Sequence, residues 1–390
     1  MHPVFIFAGF FFFAIVNNML GPLATNIMAS TGLTLSQSGS LVSFLQIGSL
    51  ISILVSLIIM KRLRQITVTR IGYAFLVFAL IAIALTSGTL LLFVLYMVIG
   101  FSAFLIDSGS NAVLASDYYE KRNLYIPLLH FCFSAGAILT GYVILPFKGT
   151  RWRFAYGTVG VLVALVLIIA WVESSFRAKR EKSQGTRARV HSEVQAGSIL
   201  PLLKDRAFIM YILVIMFYMG SQIICATWIP VYVEMELQQS PAITATSLTV
   251  FWIGTAISRL LMGFVMQRGT NPFALSISGM VLAGLSLFAL PSTTNILIAL
   301  SLVGLCGFFA GATIPMYIVV TATWYPKNTA FISLSYILSG TIGRMIFPWL
   351  VTTIAEVRNL GYALMLSSLM LFISAGLLIL VQRSVKERKA

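Results

Sequence analysis

The sequence predicts an all-α membrane protein whose twelve transmembrane helices form two pseudo-symmetric halves of six helices each. Composition is the first observation: 59% of the residues are hydrophobic and 9% are charged, whereas a soluble domain carries about 25% charged residues. The second is a series of twelve apolar runs of roughly the length that crosses a bilayer, about 20 residues. The third is a short pattern that recurs at a spacing of 206 residues.

The twelve apolar runs fall into two groups of six on either side of a polar stretch. The first run has no basic stretch before it and continues past Asn17 and Asn18, so we expect a retained span and not a cleaved signal peptide. The polar stretch has no apolar periodicity, which predicts a solvated linker. We therefore expect a first half over 1–173, a linker over 174–205 and a second half over 206–390. The predicted spans are 4–29, 38–60, 68–87, 89–116, 123–146 and 153–173, then 207–233, 243–267, 272–291, 294–323, 328–353 and 358–382.

The recurring pattern lies in the second span of each half. Span two reads Ile-Gly-Ser-Leu-Ile-Ser from Ile47, and span eight reads Ile-Gly-Thr-Ala-Ile-Ser from Ile253. Each span ends on a Met that is followed two residues later by Arg, again 206 residues apart. A weaker similarity links 136–146 with 340–348. Two halves of matching topology predict a transporter with its site at the midplane between them.

Lys and Arg are distributed unevenly among the loops. With the N-terminus placed inside, twenty of the 26 fall on the inner side and four in the outer loops. Because inner loops of membrane proteins carry the excess of basic residues, we expect a multi-pass protein of the cell membrane with both termini in the cytoplasm. Topology thereby explains the net charge of +15, and nucleic acid is not expected as a partner.

The sequence carries no signature of an enzyme, a bound metal or a cofactor. Its three cysteines are far apart in apolar spans, which favours packing over metal binding or a disulfide framework. A Walker A loop is missing, and so is a Ser/His/Asp arrangement on a loop. We therefore expect no enzymatic activity and no cofactor. The cysteines are Cys132, Cys225 and Cys306.

Asp107 is the residue on which the functional interpretation depends. It is the only charge between Leu90 and Ala115 and precedes Asp117 by ten residues, which puts it about 15 Å along a helix from the nearest loop. A carboxylate at that depth costs at least about 2.5 kcal/mol unless it is paired, hydrated or protonated, and so marks an ion, proton or substrate site. Asn111, four residues later, shares its helix face. The alternative is a structural acid that pairs with a neighbouring helix.

Two arginines and a histidine are further candidates within the spans. Arg259 lies nine residues before Arg268, about 13 Å into the membrane. Arg344 is deeper, and it either neutralises Asp107 or binds a carboxylate or phosphate, whose two oxygens fit the guanidinium fork. His130 either assists a proton relay or forms a hydrogen bond with a neighbouring helix.

Uncharged polar and aromatic residues complete the candidate set. Gln222 can form a hydrogen bond with a hydroxyl group, and the ring of Trp228 or Trp252 can stack on an apolar face of a solute. Asn17 and Gln46 either line a cavity or hold helices together. Trp228 and Tyr232 lie near the outer end of span seven, where the preferred interpretation is membership of the interfacial aromatic belt.

The twelve-span plan resembles the major facilitator superfamily over the whole chain. A closer resemblance, to the fucose–proton symporter family of fucose and glucose permeases, rests on four stretches. Gln222 stands where that family has a glutamate, span one lacks the acid of the fucose permease, and the inner-loop motif after span two, at 60–64, lacks the aspartate usual in the superfamily. The four stretches are Asp107–Asn111, Leu128–Ala137, Gly220–Tyr232 and Phe251–Gly263.

This resemblance implies the major facilitator fold and proton-coupled uptake of a small polar solute such as a sugar. It places span four beside the central cavity, where Asp107, with His130, would carry the coupling proton. It places Arg259 near the cytoplasmic gate, where the guanidinium binds helix-end carbonyls; Arg259 facing an anionic substrate is the alternative. The expected solute contacts are Asn111, Gln222, Trp252, Asn17, Gln46 and Arg344.

Other functions remain open at this point. The abundant Phe and Met residues and the missing second acid also suit an exporter of amphipathic drugs or metabolites. A carrier of an organic anion would use Arg344, and a scaffold or sensor would keep the fold without transport. The coupling ion is either a proton or sodium, and we expect a monomer in the lipid bilayer.

Overall fold

The computed structural model describes residues 2–59, 63–181, 204–311, 313 and 329–387, and all long regular elements within these ranges are α-helices. Ten helices are long and apolar enough to cross a membrane, or eleven if a bent pair at the N-terminus counts as one span. The α-helices are α1 Pro3–Asn18, α2 Leu20–Thr31, α3 Leu35–Ile59, α4 Gln65–Leu85, α5 Thr89–Asp117, α6 Arg122–Ile144, α7 Trp152–Glu181, α8 Arg206–Met235, α9 Pro241–Gln267, α10 Pro272–Ala289, α11 Ile296–Gly311, α12 Thr329–Val357 and α13 Leu360–Glu387.

The first predicted span is divided into two helices. α1 and α2 meet at Met19 with a bend of 49°. Pro22 explains the bend, because a proline has no N–H to donate to the carbonyl of Asn18 and its ring crowds that carbonyl. The side-chain amide of Asn18 donates to the Ala14 carbonyl at 2.8 Å.

The other spans agree with the predicted series where the structure describes them, except that α7 continues past the predicted end of span six into the predicted linker, as far as Glu181. The break between spans three and four is confirmed, because α4 ends at Leu85 and α5 begins at Thr89. The tenth span begins with α11, 16 residues long, and its predicted continuation to residue 323 lies largely outside the described residues. Most of the predicted linker, from 182 to 203, and the loop at 60–62 also lie outside them.

The chain divides into two compact units. Unit 1 comprises Met1–Gly32 with Phe44–Glu193, and unit 2 comprises Leu33–Ser43 with Val194–Ala390. The first turns of α3 belong to unit 2, which the sequence did not indicate. There the backbone N–H of Ser36 donates to the Glu356 carboxylate at 2.8 Å.

Two glycines in unit 1 bring α3 and α5 into backbone contact. A Cβ atom on Gly48 would overlap the Met97 carbonyl, and one on Gly100 would overlap the Leu45 carbonyl. Between them the Ser49 hydroxyl donates to the Gly100 carbonyl at 3.0 Å. Close backbone approach through small residues is the usual way in which helices associate in membranes.

Unit 2 repeats this contact between α9 and α11. A Cβ atom on Gly254 would overlap the Gly304 carbonyl, and one on Gly307 would overlap the Phe251 carbonyl. The Thr255 hydroxyl donates to the Gly307 carbonyl at 3.1 Å, as Ser49 does in unit 1. The equivalent positions are 206 or 207 residues apart, so the prediction of two pseudo-symmetric halves is confirmed.

Glu236 closes the N-terminus of α13 and provides a test of packing within unit 2. Its carboxylate accepts hydrogen bonds from the backbone N–H groups of Leu360 and Gly361, the latter at 3.1 Å. We expect Glu236→Gln to lower the free energy of unfolding by about 1 kcal/mol, since a charged acceptor at a helix N-terminus is replaced by a neutral one. Thermal unfolding in detergent measures the change, with the exposed Glu120→Gln as the control. An equal loss in both variants would contradict this prediction.

Candidate functional site

The predicted pair on α5 lies on one helix face and is joined by a hydrogen bond. The Asn111 side-chain amide donates to the Asp107 carboxylate at 3.1 Å and to the Asp107 backbone carbonyl at 2.9 Å. Spacing by four residues brings the two side chains together. Asp107 is exposed and Asn111 is half-buried. An amide donor thus holds the carboxylate on an open face of unit 1.

The opposite side of this part of α5 is tightly packed on α4. The space beside Gly109 is filled by the Thr69 side chain. Tyr73 and Ser110 are fully buried there, and the Tyr73 hydroxyl lies close enough to Asp107 for an electrostatic interaction. Asp107 therefore stands at the edge between an open surface and a packed interior containing polar groups. A carboxyl group in that position is open on one side and is held on the other by a fixed polar environment.

Unit 2 contains a second polar group of side chains, which we call the tyrosine cluster: Tyr218, Gln222, Arg259 and Tyr336. Its centre is Tyr218 of α8, whose hydroxyl donates to the Ala310 carbonyl of α11 at 2.6 Å and accepts from the Gln222 amide at 3.3 Å. Arg259 of α9 interacts electrostatically with Tyr218 and with Tyr336 of α12. The structure therefore brings two predicted site residues, Gln222 and Arg259, to the same tyrosine.

The surroundings of Arg259 favour an oxygen ligand. Within the described residues, the ionisable groups that act on its guanidinium are the two tyrosines of the cluster. Among the described residues these hydroxyl groups do not supply a full counter-charge, and a partly buried cation gains from an additional carbonyl or carboxylate oxygen. The arrangement suits either a helix-end carbonyl, as at a gate, or an oxygen of a solute.

The remaining predicted residues occupy different environments. His130 is exposed on α6, and Phe10 meets its ring edge-to-face, with the centroids 6.1 Å apart. Asn17 is half-buried and donates to the carbonyl of Phe13 within its own helix at 2.8 Å. Three others are buried or half-buried: Gln46 at 6% exposure, Trp252 at 7%, and Arg344 beside the helix contact of Gly343.

The interpretation of Trp228 and Tyr232 as residues of the interfacial belt is wrong. Their side chains are 0% and 3% exposed within unit 2. Belt residues present their rings to the membrane surface, whereas these two pack inside the helix bundle. Their role in the fold is to fill the core around α8.

Sequence reasoning missed the tyrosines that connect the predicted residues. Tyr218 precedes Gln222 by four residues, so a helical face drawn through Gln222 would have included it. Tyr73 and Tyr336 lie on α4 and α12, and no local spacing relates them to Asp107 or Arg259. Among the described residues, no group of three or more His, Cys, Asp or Glu side chains is arranged to hold a metal ion.

Comparison with known sequences identifies related proteins over most of the chain. The profile of the Major Facilitator Superfamily matches residues 6–348. Bypass of stop codon protein 6 of Saccharomyces cerevisiae is 22% identical, over 68% of this chain and 58% of its own length. A TsgA homologue of Buchnera aphidicola subsp. Schizaphis graminum is 22% identical over 94% of this chain and 92% of its own. The glucose/mannose transporter GlcP of Bacillus subtilis is 22% identical over 89% and 86%.

Solved structures of transporters share the fold. A bacterial homologue of the human lysosomal transporter Spinster, in an inward-facing and occupied conformation, superposes with a TM-score of 0.81 over 98% of this chain and 96% of its own, at 14% identity. A D-xylose–proton symporter gives a TM-score of 0.68 over 95% and 96%, also at 14% identity. At these identities the likeness shows the fold alone.

Proposed function

The chain belongs to the Major Facilitator Superfamily, and from that premise we propose that it takes up a small polar solute, a sugar, together with a proton. The observation that carries the proposal is the Asp107–Asn111 pair on the open face of α5. An ionisable group within a span is costly and is retained where it serves an ion or a substrate. In this proposal, Asp107 accepts the proton on one side of the membrane and releases it on the other.

Asn111 links the proton to the solute. Its NH2 group donates a hydrogen bond to the Asp107 carboxylate, and its carbonyl oxygen can accept one from a hydroxyl group of the solute. Protonation of Asp107 removes the negative charge of the carboxylate and weakens the hydrogen bond that it accepts from Asn111. The Asn111 amide is then freer to form a hydrogen bond with the solute. Binding of proton and solute are thereby coupled, and the coupling must be reciprocal. His130, exposed on α6, is proposed as a relay to Asp107.

The tyrosine cluster supplies the second set of proposed solute contacts. Gln222 uses one donor on Tyr218, and its remaining donor and its carbonyl suit the hydroxyl groups of a sugar. Arg259 is proposed to serve the gate at the cytoplasmic side. Trp252, Asn17 and Gln46 are proposed as further lining residues of this transport pathway.

The choice of a sugar rests on two relatives. One is named a glucose/mannose transporter and shares its sequence over most of both chains. The other is a D-xylose–proton symporter of the same fold. Both names describe those proteins, and they make a neutral, hydroxyl-rich solute the first to test here.

An organic anion is a second candidate, supported by the two intramembrane arginines. Arg344 is half-buried on α12, and the cluster around Arg259 lacks a full counter-charge among the described residues. Arg344 would bind a carboxylate of the solute in this case. We further propose that both termini face the cytoplasm, that the protein resides in the cell membrane and that it acts as a monomer.

Purified protein in vesicles that contain a pH-sensitive dye tests the proposal. Sugars, organic acids and cationic dyes are offered outside in turn at fixed pH, once with sodium and once with potassium as the alkali cation. We expect a sugar to acidify the lumen only when protein is present, because solute and proton enter together. Sugar uptake that requires sodium and moves no proton would identify sodium as the coupling ion in place of the proton. Expulsion of the cationic dyes would favour an exporter.

Gln222→Ala tests the solute contact at the tyrosine cluster. Losing one hydrogen bond to the solute is expected to raise KM by about tenfold with little change in kcat, since the bond contributes to binding before the conformational change. Gln238→Ala, an exposed glutamine just after α8, is the matched control and should leave KM unchanged. Initial rates of labelled solute uptake give both constants, and an unchanged KM in Gln222→Ala would remove this residue from the site.

A further inference from the structure

Two cysteines from different helices of unit 2 meet in its interior. The Sγ atoms of Cys225 on α8 and Cys306 on α11 are 4.0 Å apart, although 81 residues separate them along the chain. Their side chains are 2% and 1% exposed. We propose that these thiols form a redox-sensitive site, which oxidation converts into a disulfide that joins α8 to α11.

The register of the two helices makes this contact a feature of the fold. Cys225 lies ten residues before the end of α8 at Met235, and Cys306 lies ten residues after the start of α11 at Ile296. With two spans between them, these two helix ends fall on the same side of the membrane. Each thiol is therefore about 15 Å from that side, so they lie at the same depth.

A second contact fixes α8 beside α11. The hydrogen bond from Tyr218 to the Ala310 carbonyl, 2.6 Å long, joins the same two helices. It lies farther than the two cysteines from the helix ends at Met235 and Ile296. α11 is in addition held against α9 by the glycine contact at Gly307, next to Cys306 in the chain. Cys306 is thus held beside Cys225 by the contacts of α11 with α8 and α9.

Closing a disulfide from this arrangement needs a short movement of the sulfurs. An S–S bond is about 2.05 Å long, so the two atoms must approach by roughly 2 Å, which rotation about the Cα–Cβ bonds can provide in part. Both thiols are buried in a membrane-spanning region and react slowly, so the oxidant must be small and soluble in the membrane. Thiols of the cytosol reduce disulfides that they can reach.

Diamide, an azo compound that crosses membranes, serves as the oxidant. The first sulfur adds to one nitrogen of the N=N bond, and the second sulfur attacks the first and displaces that nitrogen. The S–S bond forms as two electrons and the two thiol protons pass to the azo group, which becomes a hydrazine. A membrane-permeant dithiol reverses the reaction by thiol–disulfide exchange.

Oxidation is expected to slow transport. α8 carries Gln222 and Tyr218 of the tyrosine cluster, and the approach of the two sulfurs draws this helix toward α11 beside the cluster. The disulfide holds the cluster in the shifted position, and we expect the rate of solute uptake to fall by about tenfold, because a small displacement of contacting groups weakens productive binding. This consequence rests on the proposed function, whereas formation of the disulfide does not.

The test uses full-length protein in vesicles, treated with diamide and then with a thiol-blocking reagent. Mass spectrometry of peptides is expected to show a Cys225–Cys306 linkage in the wild type and in Cys132→Ser. Cys225→Ser and Cys306→Ser should show no linked peptide and should transport at the same rate with and without diamide. The dithiol reductant should restore both free thiols and the rate of the wild type.

Two results would overturn the proposal. One is failure to find the linked peptide in diamide-treated wild type when the exposed thiols of a soluble control protein in the same tube are fully oxidised. The other, in protein that transports solute before oxidation, is a linked peptide with an unchanged uptake rate, because the disulfide would then have no effect on transport. If no solute is transported in either redox state while the linked peptide forms, the proposed function fails and the thiol site stands.

Discussion

We expect Asp107→Asn to abolish accumulation of the solute while leaving its exchange across the membrane intact. Asparagine has nearly the shape of aspartate and preserves the contact with Asn111, but it carries no proton. A coupled carrier with one proton per solute converts a difference of one pH unit into about tenfold accumulation, since each unit corresponds to 1.36 kcal/mol. The variant should reach equal concentrations on both sides. Uptake of labelled solute under an imposed pH gradient measures this ratio.

Counterflow provides the internal check on Asp107→Asn. Vesicles loaded with unlabelled solute should still exchange it for labelled solute in the variant, because exchange does not require net proton movement. Asp117→Asn is the matched control: it removes an exposed carboxylate at the end of the same helix and should accumulate solute like the wild type. Full accumulation by Asp107→Asn would refute the coupling assignment, and loss of counterflow as well would indicate a damaged fold.

The second large effect is expected at the paired glycines of the two units. Gly100→Ala and Gly307→Ala each place a Cβ atom into a backbone carbonyl of the facing helix. Overpacking of this kind costs about 1–3 kcal/mol in ordinary cores, and a rigid backbone leaves little scope for relaxation. We expect each variant to lose about 3 kcal/mol of stability or to fail to fold. The two losses should be similar, because the contacts are equivalent positions of a repeat.

Gly376→Ala is the control for these two variants. Gly376 lies within α13, and among the described residues no atom beyond its own stretch of helix backbone lies within 4 Å of the position that its Cβ would take. Alanine favours a helix over glycine by about 1 kcal/mol, so this change should be neutral or stabilising. Thermal unfolding and size-exclusion profiles in detergent compare all three. A stable Gly307→Ala protein with a melting temperature like that of the wild type would contradict the close approach of α9 and α11.

Several features could be predicted because they depend on local properties of the chain. The length of each apolar run determines whether it spans the membrane, and the position of Asp107 in its run determines its depth. The i, i+4 spacing placed Asn111 beside it, and the hydrogen bond between them agrees with this expectation. The recurrence at 206 residues predicted the repeat, which the structure shows as equivalent glycine contacts.

Other features depend on which face of each helix meets which neighbour. In a soluble helix the polar face identifies the surface, but in a membrane the faces toward lipid and toward protein are both apolar. Hydropathy therefore misplaced Trp228 at the membrane surface, although it is fully buried. The same ambiguity concealed the role of Tyr218 between Gln222 and Arg259.

The sequence by itself determined the class of the protein, the order of the spans that the structure describes, its internal repeat and the position of the acid within the fourth span. Each of these follows from residues close together in the chain or from a repeated pattern. Only the tertiary structure decided that the first turns of α3 pack in unit 2, that Gln222 and Arg259 share Tyr218, and that Cys225 faces Cys306. These arrangements join residues far apart in the chain, and helix packing determines them.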